Sequence, residues 1–170
     1  MRSRLVSLLR HGKMQARWCG ADDVAGAMEP EIIWLDVQRT GMEKISLQAK
    51  LSDLSQDVCR LVIAWPVGGE ERRFDASDFY ECLRAFRRVI EPEGFRVLCQ
   101  GARPNVCPSG MSRDAGAWKS YVHTHGQPAL MKDLVGTFDP VDDIASVGTV
   151  AEQDEFMRRH WEEFKKRSSS

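Results

Sequence analysis

Along residues 31–38, Ile33, Leu35 and Val37 alternate with Trp34, Asp36 and Gln38, a period of two that sends one face of a strand into a core and the other into water. Thr40-Gly41 offers a turn, after which Ile45, Leu47 and Ala49 resume the alternation, so the two segments are expected to pair as a hairpin. Cys59 to Trp65 is a denser apolar run, suited to a central strand. Pro66-Val67-Gly68-Gly69-Glu70 follows, where glycines can take the positive φ angles of a tight turn, and Glu71 to Phe74 reads as the returning strand.

The period then lengthens. Phe79, Cys82, Leu83, Phe86, Val89 and Ile90 form one apolar stripe, which predicts a helix over about residues 77–91. Asp75, Ser77 and Asp78 are competent caps, Glu81 stands three residues after Asp78, and Pro92 with Gly94 closes the helix. Arg84, Arg87 and Arg88 lie off the stripe and are expected on a solvated face. Phe95 to Cys99 returns as a strand. Residues 101–116 read as a long irregular segment, of a length that is often functional. Ser120 to Thr124 reads as one more short strand, and Pro128 to Val135 as one or two helical turns. Thr149 and Glu152 have capping-box spacing before a helix whose face carries Phe156, Met157, His160, Trp161 and Phe164. Residues 165–170 are expected to fray. Residues 1–30 are the least legible: Leu5 to Leu9 is too short for periodicity to separate strand from helix, and Gly20 to Pro30 reads as a loop.

Strands followed by a helix, further strands and a terminal helix, without βαβ alternation, predict an α+β fold: a mainly antiparallel sheet with two main helices packed on one face. The 170 residues suit one domain, 1–170, large enough to bury roughly 70% of its unfolded surface without a metal or disulfide. Lys plus Arg total 24 against 25 Asp plus Glu, and that balance lacks the electrostatic footprint of a general nucleic-acid binder. No apolar run approaches the ~18 residues that span a bilayer. Cys19, Cys59, Cys82, Cys99 and Cys107 are scattered, form no C-x-x-C pair and follow no export signal, so they are expected as reduced thiols in the cytoplasm. An exposed Trp34 would allow a homodimer as well as a monomer.

Candidate chemistry is sparse. The chain has no P-loop, no dinucleotide fingerprint and no G-x-S-x-G elbow; Pro108-Ser109-Gly110 is an echo of the last, better read as a turn. His123 and His125 would share a strand face, and with Cys99 or Cys107 could hold zinc. Cys107 could act as a thiol nucleophile with His123 as its base. Those residues define a small enzyme or metal-binding protein using the 101–125 region. Arg84, Arg87 and Arg88, with Arg72-Arg73 upstream, define an RNA-contacting adaptor, although the neighbouring aromatics lie on the core stripe. The acidic pairs are better placed to meet a basic protein than to act as acid/base dyads.

The second half of the chain adds a resemblance. Phe79-Tyr80-Glu81-Cys82-Leu83-Arg84-Ala85-Phe86-Arg87-Arg88, Pro92-Glu93-Gly94, Gly101-Ala102-Arg103-Pro104-Asn105-Val106, Pro108-Ser109-Gly110-Met111-Ser112-Arg113-Asp114, Asp133-Leu134-Val135, Phe138-Asp139-Pro140 and Thr149-Val150-Ala151-Glu152-Gln153 follow one another. This succession resembles the small bacterial proteins encoded beside polymorphic, Rhs-type toxins, a group widely treated as immunity proteins. It departs from them at Gln100, where they carry Asn, at Cys107, where they carry an aromatic, and at residues 114–118, where they carry a glycine cluster. The resemblance implies stoichiometric inhibition without catalysis or cofactor: binding of a cognate toxin domain in the cytosol, with its active site blocked. The toxin-binding residues it suggests are Arg103, Asn105, Arg113 and Trp118, with the acidic loops at Glu70, Glu71, Asp139, Asp142 and Asp143.

Overall fold

The computed structural model describes residues 29–55 and 57–168; Leu5 to Leu9 and most of the loop at 20–30 lie outside them. Among the described residues, β1 (Glu31–Arg39), β2 (Ile45–Ser55), β3 (Val58–Ala64), β4 (Glu71–Ala76) and β5 (Phe95–Val97) make one antiparallel sheet in the order β4-β3-β2-β1-β5. Leu35 stands opposite Leu47, Ala49 opposite Ile63 and Leu51 opposite Leu61, so the period of two is in phase from strand to strand. A slip of one residue would turn that whole set into water. The β3–β4 turn uses Gly68 at φ +72, and Gly69 donates its amide to the Pro66 carbonyl at 2.7 Å. The outer face is polar and laced by Lys50–Glu71 and Arg60–Asp75 pairs, with Trp34, 65% exposed, standing out of it.

The inner face is covered by α1 (Phe79–Ile90), whose Phe79, Cys82, Leu83, Phe86 and Ile90 are buried there. Phe86 sits edge-on to Trp65 at 6.2 Å and to Phe74 at 5.7 Å, joining helix and sheet. Asp78 caps α1, accepting from the Glu81 amide at 2.8 Å. The chain then forms β6 (Val106–Cys107), α2 (Gly110–Asp114), β7 (Lys119–Val122) and β8 (Leu134–Gly136), a second antiparallel sheet in the order β6-β7-β8. It ends in α3 (Val150–Ser168), capped by Thr149, whose hydroxyl accepts from the Glu152 amide at 3.0 Å while its own amide donates to the Glu152 carboxylate at 2.6 Å. The fold is α+β, with α1 and α3 as its main helices. No helix among the described residues is long and apolar enough to cross a membrane.

Besides the tail, where residues 165–168 continue α3 instead of fraying, three expectations change. Residues 101–116 are an ordered succession of a 3-10 turn (Gln100–Ala102), β6 and α2. Residues 128–135 form only a 3-10 turn (Met131–Asp133), because Leu134 and Val135 are taken up as strand partners of Tyr121 and Ser120. The third is Arg87, expected in solvent and found fully buried. A helix covered on both sides has two buried faces, and the second face of α1 is polar. Tyr80 donates to the Val106 carbonyl at 3.1 Å, and Arg84 pairs with Asp154 of α3 at 2.5 Å. Arg87 bonds Glu91 at 3.1 Å, Gln153 Oε1 at 2.8 Å, and the carbonyls of Gly101 and Gly148 at 3.3 and 2.9 Å. Burial pulls the Arg87 guanidinium down, and Glu91 beside it pushes back. Gln153 donates in turn to the carbonyls of Gly101, Arg103 and Val106 at 3.0, 2.7 and 2.9 Å. This buried hub orders residues 101–106 and fixes the start of α3.

Candidate functional site

Beyond Gln153, α3 runs over the small sheet and leaves a cleft of about 480 Å3 beneath its C-terminal half. That volume is within the ordinary ligand-pocket range of roughly 300–1,000 Å3. One wall is Cys107 to Gly110, where β6 passes into α2. Pro108 turns the chain there, and Ser109 caps α2 by accepting from the Ser112 amide at 3.2 Å. Tyr121 comes up from β7, and His123, Gln127, Pro128 and Ala129 from the segment after it. His160, Trp161 and Phe164, within about one turn of α3, close the top. Among the described residues, the lining contains no Lys, Arg, Asp or Glu.

Around it stand large apolar side chains in water: Met131 at 74% exposure, Trp161 at 48%, and, one residue past Gly110, Met111 at 84%. The Tyr121 hydroxyl meets the Met131 sulfur at 3.6 Å, placing that methionine on the rim. Exposed methionine and tryptophan around a concave site adapt to and anchor apolar partner groups.

The imidazoles are held neutral. His123 is 8% exposed and His160 1%, their ring centroids are 4.9 Å apart, and neither Nδ1 has a partner. Burial lowers His123 first and neighbouring His160 lowers it further. Burial likewise lowers His160, against a main-chain hydrogen bond with Thr124. Cys107 stays a thiol: burial raises it, and Arg113 offsets this only in part.

The expected zinc set does not assemble. β7 ends at Val122, so His123 and His125 are not two positions of one strand face. His125 stacks on Phe156 at 4.1 Å, and Cys99 lies in the main core with its thiol pushed up to about 11 by burial. Among the described residues no three His, Cys, Asp or Glu side chains gather as a metal site. Cys107 and His123 do line the same cleft.

The residues suggested for toxin binding scatter, and most are tied inward. Arg103 bonds Gln100 at 3.0 Å, and Asn105 bonds the His123 carbonyl at 3.3 Å. Arg113 pairs with buried Asp78 at 2.8 Å and Glu81 at 3.2 Å, locking α2 onto the cap of α1. Trp118 packs on the main core, 4.6 Å from Phe79 and 5.9 Å from Phe138. Glu70 and Glu71 are exposed at the β3–β4 hairpin, where Glu71 pairs with Lys50 and is lowered by that hydrogen bond. Asp139 and Asp143 fix turns, accepting from the Gly136 and Ala145 amides at 2.8 Å each, and exposed Asp142 reaches Lys44 at 3.4 Å. Only Trp118 and Asp139 meet at one groove, with Glu31 and Phe138. Sequence reading placed His160, Trp161 and Phe164 on one helix face but did not join them to Cys107 and Tyr121. Those two lie about 40–50 residues before His160 in sequence, a separation that local periodicity does not bridge.

No family profile and no curated protein matches this chain.

Proposed function

We propose that this chain is an immunity-type inhibitor that binds a cognate polymorphic-toxin domain and blocks it, docking through the cleft under α3. The observation that carries the reading is the uncharged, aromatic-walled cleft with exposed Met111, Met131 and Trp161 around it. A site without ionic groups favours apolar anchor side chains, and a few such anchors supply most of the energy of a protein interface. The stretch Pro108 to Gly110, within the part of the chain that resembles immunity proteins, forms one side of this site. Inhibition of this kind needs no cofactor and no catalytic group.

The test is to express the C-terminal domain of the neighbouring toxin gene in a sensitive host, with and without this chain. Restored growth together with a one-to-one complex on purification supports the reading. Toxicity that the chain leaves untouched refutes it. The reading of a small thiol enzyme has one favourable observation, the shared cleft of Cys107 and His123, and stands against it with a thiol that burial keeps protonated.

A further inference from the structure

The two halves of α3 are held by different chemistry. The first half is fixed by Gln153 and by the Arg84–Asp154 pair. The second half is held by rings, His160 on His123 at 4.9 Å and Trp161 6.1 Å from His123, with Arg167 donating to the Gly126 carbonyl at 3.0 Å. Two imidazoles therefore sit buried edge-to-face at the closure of the cleft, and each keeps a buried Nδ1 with no hydrogen-bond partner. A proton arriving at either Nδ1 creates a buried N–H without an acceptor, and a cation beside a second imidazole.

We propose that His123 and His160 form a proton-operated latch: proton uptake by the pair releases the C-terminal half of α3 from the small sheet and takes down one wall of the cleft. The groups that face the pair give it little relief. A main-chain hydrogen bond with Cys107 and, more weakly, Asp133 favour a charge on His123; a main-chain hydrogen bond with Thr124 and, more weakly, Glu163 of α3 favour one on His160; for both rings burial outweighs them. His160 opposes a charge on His123, and His125 opposes one on His160. The Cys107 thiol, on the far wall, is neutral. Both rings bind a proton less readily when packed than when released, so acid favours the released form. Closure is complete above the ordinary histidine value of about 6.5 and weakens as pH falls through it. The consequence, that acid dismantles the docking surface and frees a bound partner, rests on the function proposed above.

The test uses the full chain, free in solution, between pH 7.5 and 5.0. Imidazole NMR follows His123 and His160, while amide hydrogen exchange, corrected for intrinsic rates, follows residues 161–167 and, as a reference, residues 82–90 of α1. The opening constant of 161–167 is expected to rise up to ~10-fold per pH unit for each imidazole below about 6.5, and so up to ~100-fold when both take part, with α1 unchanged. His123→Phe and His160→Phe keep a ring in place and should each reduce that slope. Should either variant fail to protect α1, the wild-type titration decides alone. Rings that titrate at the ordinary value with no change in exchange at 161–167 overturn the latch, as does a slope that survives both variants. If the latch opens in the free chain while a toxin complex keeps its affinity at pH 5.5, the latch stands and the cleft falls as the docking surface.

Discussion

Replacing Arg87 by Met probes the buried hub that organises the second half of the chain. The substitution keeps most of the side-chain length and removes every donor. It deletes the 3.1 Å bond to Glu91, and leaves Gln153 Oε1 and the Gly101 and Gly148 carbonyls without their guanidinium partner. The Glu91 carboxylate keeps only the Val150 amide, at 3.0 and 3.1 Å from its two oxygens, in a largely buried place. Removing one partner of a buried ion pair costs about 3–5 kcal/mol, and buried acceptors left unpaired add to it. An expected loss of about 4 kcal/mol corresponds to a drop of about 8–16 °C in melting temperature for a domain of this size. Urea unfolding followed by circular dichroism measures it, with Arg88→Met, on exposed Arg88, as the control expected within about 0.5 kcal/mol of wild type. Paired with Gln153→Leu in a double-mutant cycle, Arg87→Met should show coupling of about 1–3 kcal/mol. A cost for Arg87→Met below about 1 kcal/mol, or equal to that of Arg88→Met, would refute the assignment of a structural hub.

Gly101→Ala would place a methyl group 2.9 Å from the Thr137 carbonyl oxygen and 3.0 Å from Leu83, and is expected to cost about 1–3 kcal/mol in the same assay. Asp78→Ala removes both the α1 cap and the partner of Arg113, so it should exceed the ~1 kcal/mol typical of a lost cap, whereas Thr149→Ala should cost about that amount. A Cys19→Ser chain titrated with an aromatic disulfide at pH 8 should react slowly at Cys107 and at the other three cysteines only on unfolding. Burial raises Cys59 and Cys82 to about 12, and rapid reaction of two or more thiols in the folded chain would contradict that.

The large sheet and both main helices were legible because each needs only one side to be apolar. Leu35, Val37, Leu47, Leu61 and Ile63 carry the period of two, while Leu83, Phe86 and Ile90 carry the longer one. Arg87 was illegible for the same reason. Periodicity assigns one inside face, and the second inside face of α1 is polar because what covers it is main-chain carbonyl and Gln153. Residues 101–116 looked irregular because their order comes from donors some 50 residues away in α3, which no local pattern records. For the site, sequence brought out the residue types and misjudged their duties. Arg103, Asn105 and Arg113 have the chemistry of an interface, yet each is spent on a neighbour inside the chain. The cleft joins three segments far apart in sequence, so its apolar rim becomes visible only when β6, β7 and α3 are folded together.

The most direct measurement is the affinity between this chain and the proposed partner, the C-terminal domain of the protein encoded next to it, taken by calorimetry for wild type, Trp161→Ala, Met131→Ala and Trp34→Ala. Docking through the cleft predicts that Trp161→Ala costs at least about 2 kcal/mol, roughly 30-fold in Kd, as expected of a central aromatic anchor. Met131→Ala should cost less, and Trp34→Ala, on the outer sheet face, should leave affinity unchanged. Wild-type affinity in Trp161→Ala together with a loss in Trp34→Ala would move the interface to the open sheet and contradict the account.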